Sequence, residues 1–183
     1  MTGADTPGGS VRPATPHDAQ AIASVHVATW RHAYAGLLPD DLLADLDAGQ
    51  WAERWRGRLA EREPVPGLFA LVFESGGRVR GFVSGGPDRD GRPGGEVYAI
   101  YVDPDFQGRG AGRRLMGAAV RGLAEAGFTE ASLWVLARNR PSRAFYESQG
   151  WRADGTEKPF MFDDSGRSAS EVRYVRNLDP GAS

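Results

Sequence analysis

The chain has no cysteine among its 183 residues, so disulfides, thiolate nucleophiles and cysteine-ligated metals are excluded at the outset. Histidine is scarce: His17, His26 and His32 are the three present, none at a ligand spacing such as HExxH, so no metal site is expected. Lysine is scarcer still, with Lys158 the single lysine among 22 basic residues, against 24 acidic ones. A net charge of −2 lacks the basic excess with which nucleic-acid-binding proteins displace counterions, so no nucleic-acid partner is expected. No apolar run approaches the length of a membrane span, and the opening MTGADTPGG lacks the charged-then-apolar form of a signal peptide. No membrane contact is therefore expected, and a cytoplasmic location is. A GxSxG nucleophile elbow is missing as well.

Glycine, by contrast, is abundant, and three glycines fall within the stretch from Glu96 to Met116, EVYAIYVDPDFQGRGAGRRLM. Val97, Tyr98, Ile100, Tyr101 and Val102 are β-branched or aromatic and are closed off by Asp103-Pro104, which predicts a mostly buried strand stopped by a turn. Gly108, Gly110 and Gly112 then alternate with Arg109 and Ala111. From Arg113 onward, Leu115, Met116, Ala119, Val120 and Leu123 have helical spacing. A loop without side chains lets backbone N–H groups converge on an anion at the positive end of a helix, and a phosphate is the expected guest. Gln107, Arg109, Arg113 and Arg114 stand where they could add donors. The loop is neither a dinucleotide GxGxxG, because Arg113 takes the place of the third glycine, nor a P-loop, because Gly112 is followed by Arg113-Arg114.

Gln107-Gly108-Arg109-Gly110-Ala111-Gly112 after an IYVDP strand resembles the acetyl-coenzyme A loop of the GNAT superfamily of N-acetyltransferases, whose pattern is Gln or Arg, two residues, Gly, one residue, Gly or Ala. A second stretch, Asn139 to Trp151 (NRPSRAFYESQGW), is similar to the family's signature of Asn, a short helix containing FYE, then Gly and an aromatic residue. The resemblance implies a three-layer α/β domain with a mixed, mostly antiparallel sheet of about seven strands flanked by helices, its fourth and fifth strands splayed to admit the acetyl donor. It also implies backbone contacts to the pantetheine arm at Ile100, Tyr101 and Val102, a further contact from Asn139, and pyrophosphate contacts from Gln107 through Gly108, Arg109, Gly110, Ala111 and Gly112 to Arg113.

The remaining chain fits one domain from residue 10 to 178, after a disordered leader at 1–9 and before a tail at 179–183. A short strand from Val11 to Thr15 leads to a helix opened by His17-Asp18, with apolar positions Ala21, Ile22, Val25 and Thr29, which runs through Trp30 and Tyr34 to a break at Gly36-Leu37-Leu38-Pro39. By resemblance Trp30 and Tyr34 form a wall for the acceptor amine; they read equally as residues sealing the helix to the sheet. His26 and His32 are expected at the surface or as caps. A helix pair follows between Asp40 and Ala60, whose Asp40, Asp41, Asp45 and Asp47 are expected as caps and a solvated face rather than as attractors of a cationic amine. Leu68–Phe73, Ser75-Gly76-Gly77 and Val79–Ser84 read as a hairpin, Ala131–Leu136 as a buried strand, and Ser170–Leu178 as the last strand.

Transfer of an acetyl group to an amine needs a base, because an alkyl ammonium with a pKa of ~10 is no nucleophile at neutral pH, and it needs donors for the oxyanion and a proton for the departing thiolate. Glu96 is the expected base, by likeness to the family's fourth-strand glutamate and through an ordered water. Tyr146 is the expected acid toward the sulfur, with a backbone N–H between Ile100 and Val102 as oxyanion donor. Direct attack in a ternary complex follows from the absence of a nucleophile. The implied acceptor is a small-molecule or peptide amine, the implied assembly a monomer or homodimer, and the alternative is a non-catalytic acetyl-coenzyme A sensor or structural module.

Overall fold

The structure is a computed structural model that describes residues 8–61, 65–162 and 166–178. Most of the expected leader, all of the tail and part of the breaker before the first hairpin lie outside those residues. Strand β1 (Gly9–Pro13) begins one residue inside the expected leader, because Gly9 already pairs with Ser75. It leads through a 3-10 turn at Pro16–Asp18 to α1 (Ala19–Ala33), then α2 (Asp40–Ala44) and α3 (Ala48–Ala60). The hairpin of β2 (Phe69–Ser75) and β3 (Arg78–Pro87) turns on Gly76 and Gly77, both at positive φ, as a tight two-residue loop between right-twisted strands demands. Then come β4 (Gly95–Val102), α4 (Ala111–Glu125), β5 (Glu130–Leu136), α5 (Arg140–Ser148), β6 (Arg152–Met161) and β7 (Ser168–Asn177).

The strands form one sheet in the order β1-β2-β3-β4-β5-β7-β6, antiparallel throughout except for the β4–β5 pair. One face carries α1 and α3, where Ile22, Ala23, Trp55, Val72 and Phe82 pack together. The other carries α4, whose Leu115, Met116, Ala119 and Leu123 recur on one side and are fully buried against Val83, Val97 and Leu133. This helix ends in a Schellman arrangement: Gly127 sits at φ 92°, the Phe128 N–H donates to Leu123 and the Gly127 N–H to Ala124.

A register shift decides what β4 can do. Ser84 pairs with Ala99 but Gly85 pairs with Val97, which leaves Tyr98 as an extra residue in β4. Consequently Val97, Ile100 and Val102 face α4 while Ala99 and Tyr101 face α1 and α3, a pattern that strict alternation from Val97 would not give.

Arg12 ties β1, the start of α1 and β2 together. Its guanidinium donates to both oxygens of Asp18 at 2.8 and 2.9 Å and to Glu74 at 2.7 Å, while the Thr15 N–H and hydroxyl donate to the same Asp18 carboxylate. Arg12 holds the Asp18 carboxyl well below the usual carboxylate range. Asp18→Ala is expected to cost about 2 kcal/mol at neutral pH, since it strands a guanidinium and two further donors. A lowered folded-state pKa stabilises the fold above the unfolded value near ~4 and less as pH falls below it, so the wild-type advantage should shrink on acidification. Urea melts of wild type and variant at pH 7 and pH 3 check both the size and the sign.

Candidate active site

Strands β4 and β5 pair only at Gly95 with Ala131, Glu96 with Ser132 and Val97 with Leu133. Past the bulge at Tyr98 the two diverge, so residues 99–102 keep β3 on one side and, among the described residues, have no strand on the other. The gap opens into a cavity of about 1200 Å³ lined by Tyr98 to Val102, by Leu133 to Leu136 of β5, by the glycine loop and by α5. Among the described residues it is much the larger of the two principal cavities. An extended ligand laid along β4 would find unpaired backbone groups there. The Val102 carbonyl is the exception, accepting from the Thr29 hydroxyl and the Gln107 side chain at 3.2 Å each.

At one mouth of the gap the glycine loop leads into α4. Gly108 and Gly110 have φ of 75° and 84°, the left-handed region that side chains resist, and a Cβ on either would meet open space; conformation, not crowding, calls for glycine here. Gly110 is the N-cap residue, and no side chain caps the helix. The first-turn N–H groups of α4 therefore lack a side-chain acceptor, an arrangement that with the helix dipole behind it suits an anion. Arg113, Gln107, Gly108, Ala111 and Gly112 line the cavity beside Gly110. Arg109 instead lies over the Phe106 ring at 5.1 Å, and Arg114 over Phe73 at 5.3 Å.

Deeper in, Asn139 and Tyr146 of the second signature reach the same cavity. Asn139 is 4 % exposed and its Oδ1 accepts from the Ser142 N–H at 3.2 Å, capping α5. Tyr146 packs between Phe145 and Tyr174, and burial pushes its phenol up. On the far wall Trp30 and Tyr34 meet edge-on at 5.2 Å. Both line the cavity and also pack against the apolar cluster around Leu38, Leu43 and Leu136.

His26 departs from expectation. It is 5 % exposed rather than superficial, neither ring nitrogen has a hydrogen-bond partner among the described residues, and it stacks on Tyr101 at 5.0 Å beside Trp51 at 4.2 Å. The signal was its place four residues after Ile22 and four before Trp30, on the buried stripe of α1. Burial, aided by Arg58, lowers its pKa to about 4, so the ring is neutral at physiological pH. His32 is exposed, as are Asp40, Asp41, Asp45 and Asp47, of which Asp47 caps α3 through the Gln50 N–H.

Glu96, the expected base, is 1 % exposed and does not line the cavity. Oε2 accepts from the Arg89 backbone N–H at 2.9 Å and Oε1 from Nε of the same residue at 3.0 Å, with the Arg89 Nη2 closer still. Arg89 also lies over the Tyr98 ring, at 4.6 Å. The loop at 88–94 is further stitched down where Ser132 donates to Asp88 and Lys158 to Asp90. A carboxylate that sequence reasoning passed over, Glu171 of β7, does line the cavity. Its signal was weak: an acidic residue in an alternating strand reads as the solvent face. No group of three or more His, Asp or Glu is placed to hold a metal among the described residues.

The acetyltransferase (GNAT) family model matches residues 29–151. The chain is 37% identical over 141 residues to an uncharacterized N-acetyltransferase, YuaI, of Bacillus subtilis, covering 76% of this chain and 78% of that protein. It is 35% identical over 126 residues to a mycothiol acetyltransferase of Propionibacterium freudenreichii, covering 65% of this chain but 40% of that longer protein. In fold it superposes with the crystal structure of PaiA N-acetyltransferase from Thermoplasma acidophilum in complex with coenzyme A, at a TM-score of 0.76, 16% identity, and coverage of 93% and 99% of the two chains. The chain belongs to the GNAT family and is an enzyme of the N-acetyltransferase class.

Glu96→Gln is expected to destabilise the protein by about 1–3 kcal/mol, because the buried carboxylate that holds the more exposed Arg89 guanidinium loses its charge. Hydrogen exchange should show the amides of residues 88–94 losing protection ahead of those in α4.

Proposed function

We propose that the protein transfers an acetyl group from acetyl-coenzyme A to a small primary amine, by direct attack within a ternary complex. The observation that carries this reading is the continuity of the β4–β5 gap with an uncapped helix N-terminus at one mouth and an aromatic pocket at the other. The donor fits: the N–H groups of Gly110 to Arg113 and the Arg113 guanidinium suit a pyrophosphate, and the open edge of Ile100, Tyr101 and Val102, with Asn139, suits an amide-bearing arm. When bound, the thioester supplies an activated acetyl carbon and a thiolate leaving group.

The chain's own groups do the rest. The backbone N–H groups of β4 offer a hydrogen bond to the carbonyl oxygen as it gains charge. Tyr146, kept protonated by burial, gives its phenolic proton to the departing sulfur and regains one from water. Glu96 acts by positioning, holding Arg89 and with it the wall beside Tyr98.

A small acceptor is favoured over a peptide because the pocket is closed on several sides. His26, Trp30 and Tyr34 come from α1, Trp51 from α3 and Tyr101 from β4, and Phe160 of β6 lies 6.2 Å from Trp30. Aromatic faces also suit a cationic amine with a flat apolar body.

The test is release of free thiol from acetyl-coenzyme A, read with a thiol-reactive dye, over phenethylamine, spermidine, a free amino acid, an aminoglycoside and a short peptide. With no cysteine in the chain the dye reports coenzyme A alone. Turnover is expected with phenethylamine above the peptide; binding of acetyl-coenzyme A with silence across the panel would overturn the reading. Tyr146→Phe should lower kcat about 100-fold with KM for the donor little changed. Gly110→Val, which forces a β-branched residue to positive φ, should instead weaken donor binding about tenfold, measurable by calorimetry.

A further inference from the structure

Two carboxylates line the cavity, Asp90 and Glu171. Asp90 is tied to Lys158 at 2.9 Å. Glu171 is half-buried and makes no side-chain hydrogen bond among the described residues. Its place in the sheet is informative: on β7 it stands opposite Leu136 of β5 and Lys158 of β6, three residues beyond Leu133, where β5 last touches β4. It therefore sits on the wall of the gap, past the point where the strands part.

The groups that face it are accounted for. Lys158 of β6 and Arg89 of the loop before β4 favour its charged form; Glu96 of β4 and Asp90 of the same loop oppose it. Both cations are already engaged, Lys158 by Asp90 and the Trp134 ring, Arg89 by Glu96 and the Tyr98 ring. Tyr34, at the C-cap of α1, and Tyr101 of β4 line the same cavity and both feel its charge. Burial outweighs the cations and lifts its carboxyl above the ordinary range. A carboxylate partly withdrawn from water and left without donors attracts the nearest cation that can bring N–H groups to it.

We propose that Glu171 receives the acceptor's ammonium group and takes its proton, serving as the catalytic base of the acetyl transfer proposed above, on which this inference rests. The ammonium gives one proton to the Glu171 carboxylate. The freed nitrogen lone pair forms the C–N bond at the thioester carbon, and the C–S bond breaks with its electron pair leaving on sulfur. The nitrogen sheds its second proton to water, while the sulfur is protonated from Tyr146. Ammonium and thioester thus become amide and thiol, with one proton released overall once Glu171 and Tyr146 have re-equilibrated with water.

The test compares wild type, Glu171→Gln and Glu171→Asp in the thiol-release assay from pH 5 to 9, with acetyl-coenzyme A affinity measured by calorimetry. Phenethylamine binding without the donor is followed by tryptophan fluorescence, since Trp30 and Trp51 line the pocket. The Gln variant keeps the shape of the side chain, so it is expected to fold and to bind acetyl-coenzyme A as wild type does. Its kcat/KM should fall about 100-fold, the scale of general-base catalysis. The acidic limb of the wild-type profile, lying above the usual carboxylate range, should vanish; phenethylamine affinity should drop, and Asp should restore part of each. Wild-type kcat/KM or a retained acidic limb in the Gln variant would overturn the proposal and leave acetyl transfer standing. So would a fall matched by an equal loss of acetyl-coenzyme A affinity, which would mark a structural role. Wild-type silence with every amine would instead sink the acetyl-transfer reading, and this one with it.

Discussion

The site exists because β4 cannot stay beside β5. Parallel strands ordinarily continue their ladder as far as both extend, since every unpaired N–H and C=O in the interior is costly. Here the ladder stops at Val97 and Leu133, directly before the extra residue Tyr98. The bulge reorients the outer half of β4, and the Tyr98 hydroxyl, donating to the Pro87 carbonyl at 2.6 Å, fixes the bend. The backbone groups this exposes toward the gap are those a donor's amide arm would use. What would be a folding penalty in an empty sheet becomes preorganised binding capacity.

Such a gap needs walls that do not collapse into it, and the structure supplies them with charge as well as packing. On one side Glu96, buried at the root of β4, gathers both the backbone and the guanidinium of Arg89. On the other, Lys158 spans from β6 to Asp90 across the face of Trp134. Both oxygens of this glutamate are occupied by Arg89. Its worth lies in holding a loop, and breaking such a pair costs more than the pair itself contributes. The same loop carries Asp90 and Arg89 into the cavity rim, so structural and functional charges are interleaved within a few residues.

The sequence made the fold legible because its punctuation is strong. Gly76-Gly77 announces the hairpin, the alternating glycines after Asp103-Pro104 the strand-loop-helix unit, and the stretch from Asn139 to Trp151 the short helix α5. The resemblance in the two signatures supplied the splay, which no composition rule contains. What remained hidden depended on register. Whether Glu96 points into the gap or into the loop turns on one bulge, invisible in a run of β-forming residues. Glu171 looks like a solvent-facing strand residue until β5, β6 and β7 are assembled around it. His26 differs for a related reason: its polarity reads as a surface position, whereas the stripe spacing from Ile22 to Trp30 places it inside.

The electrostatic character of the two ends follows from these placements. The helix mouth is positive, with the backbone N–H groups of α4 and the Arg113 side chain at the cavity's edge. The inner end is apolar and aromatic, with a neutral His26 and raised phenols at Tyr34, Tyr101 and Tyr146, and little in it can shield a charge. In that setting an incoming ammonium is poorly solvated by rings alone and is driven toward whatever carboxylate it can reach, while the neutral amine left after proton loss is well accommodated among them. One environment thus discourages the protonated form and tolerates the nucleophilic one, at the point where the nitrogen must face the acetyl carbon. The apolar wall and the unsatisfied carboxylate are two parts of one device, and neither would favour deprotonation without the other.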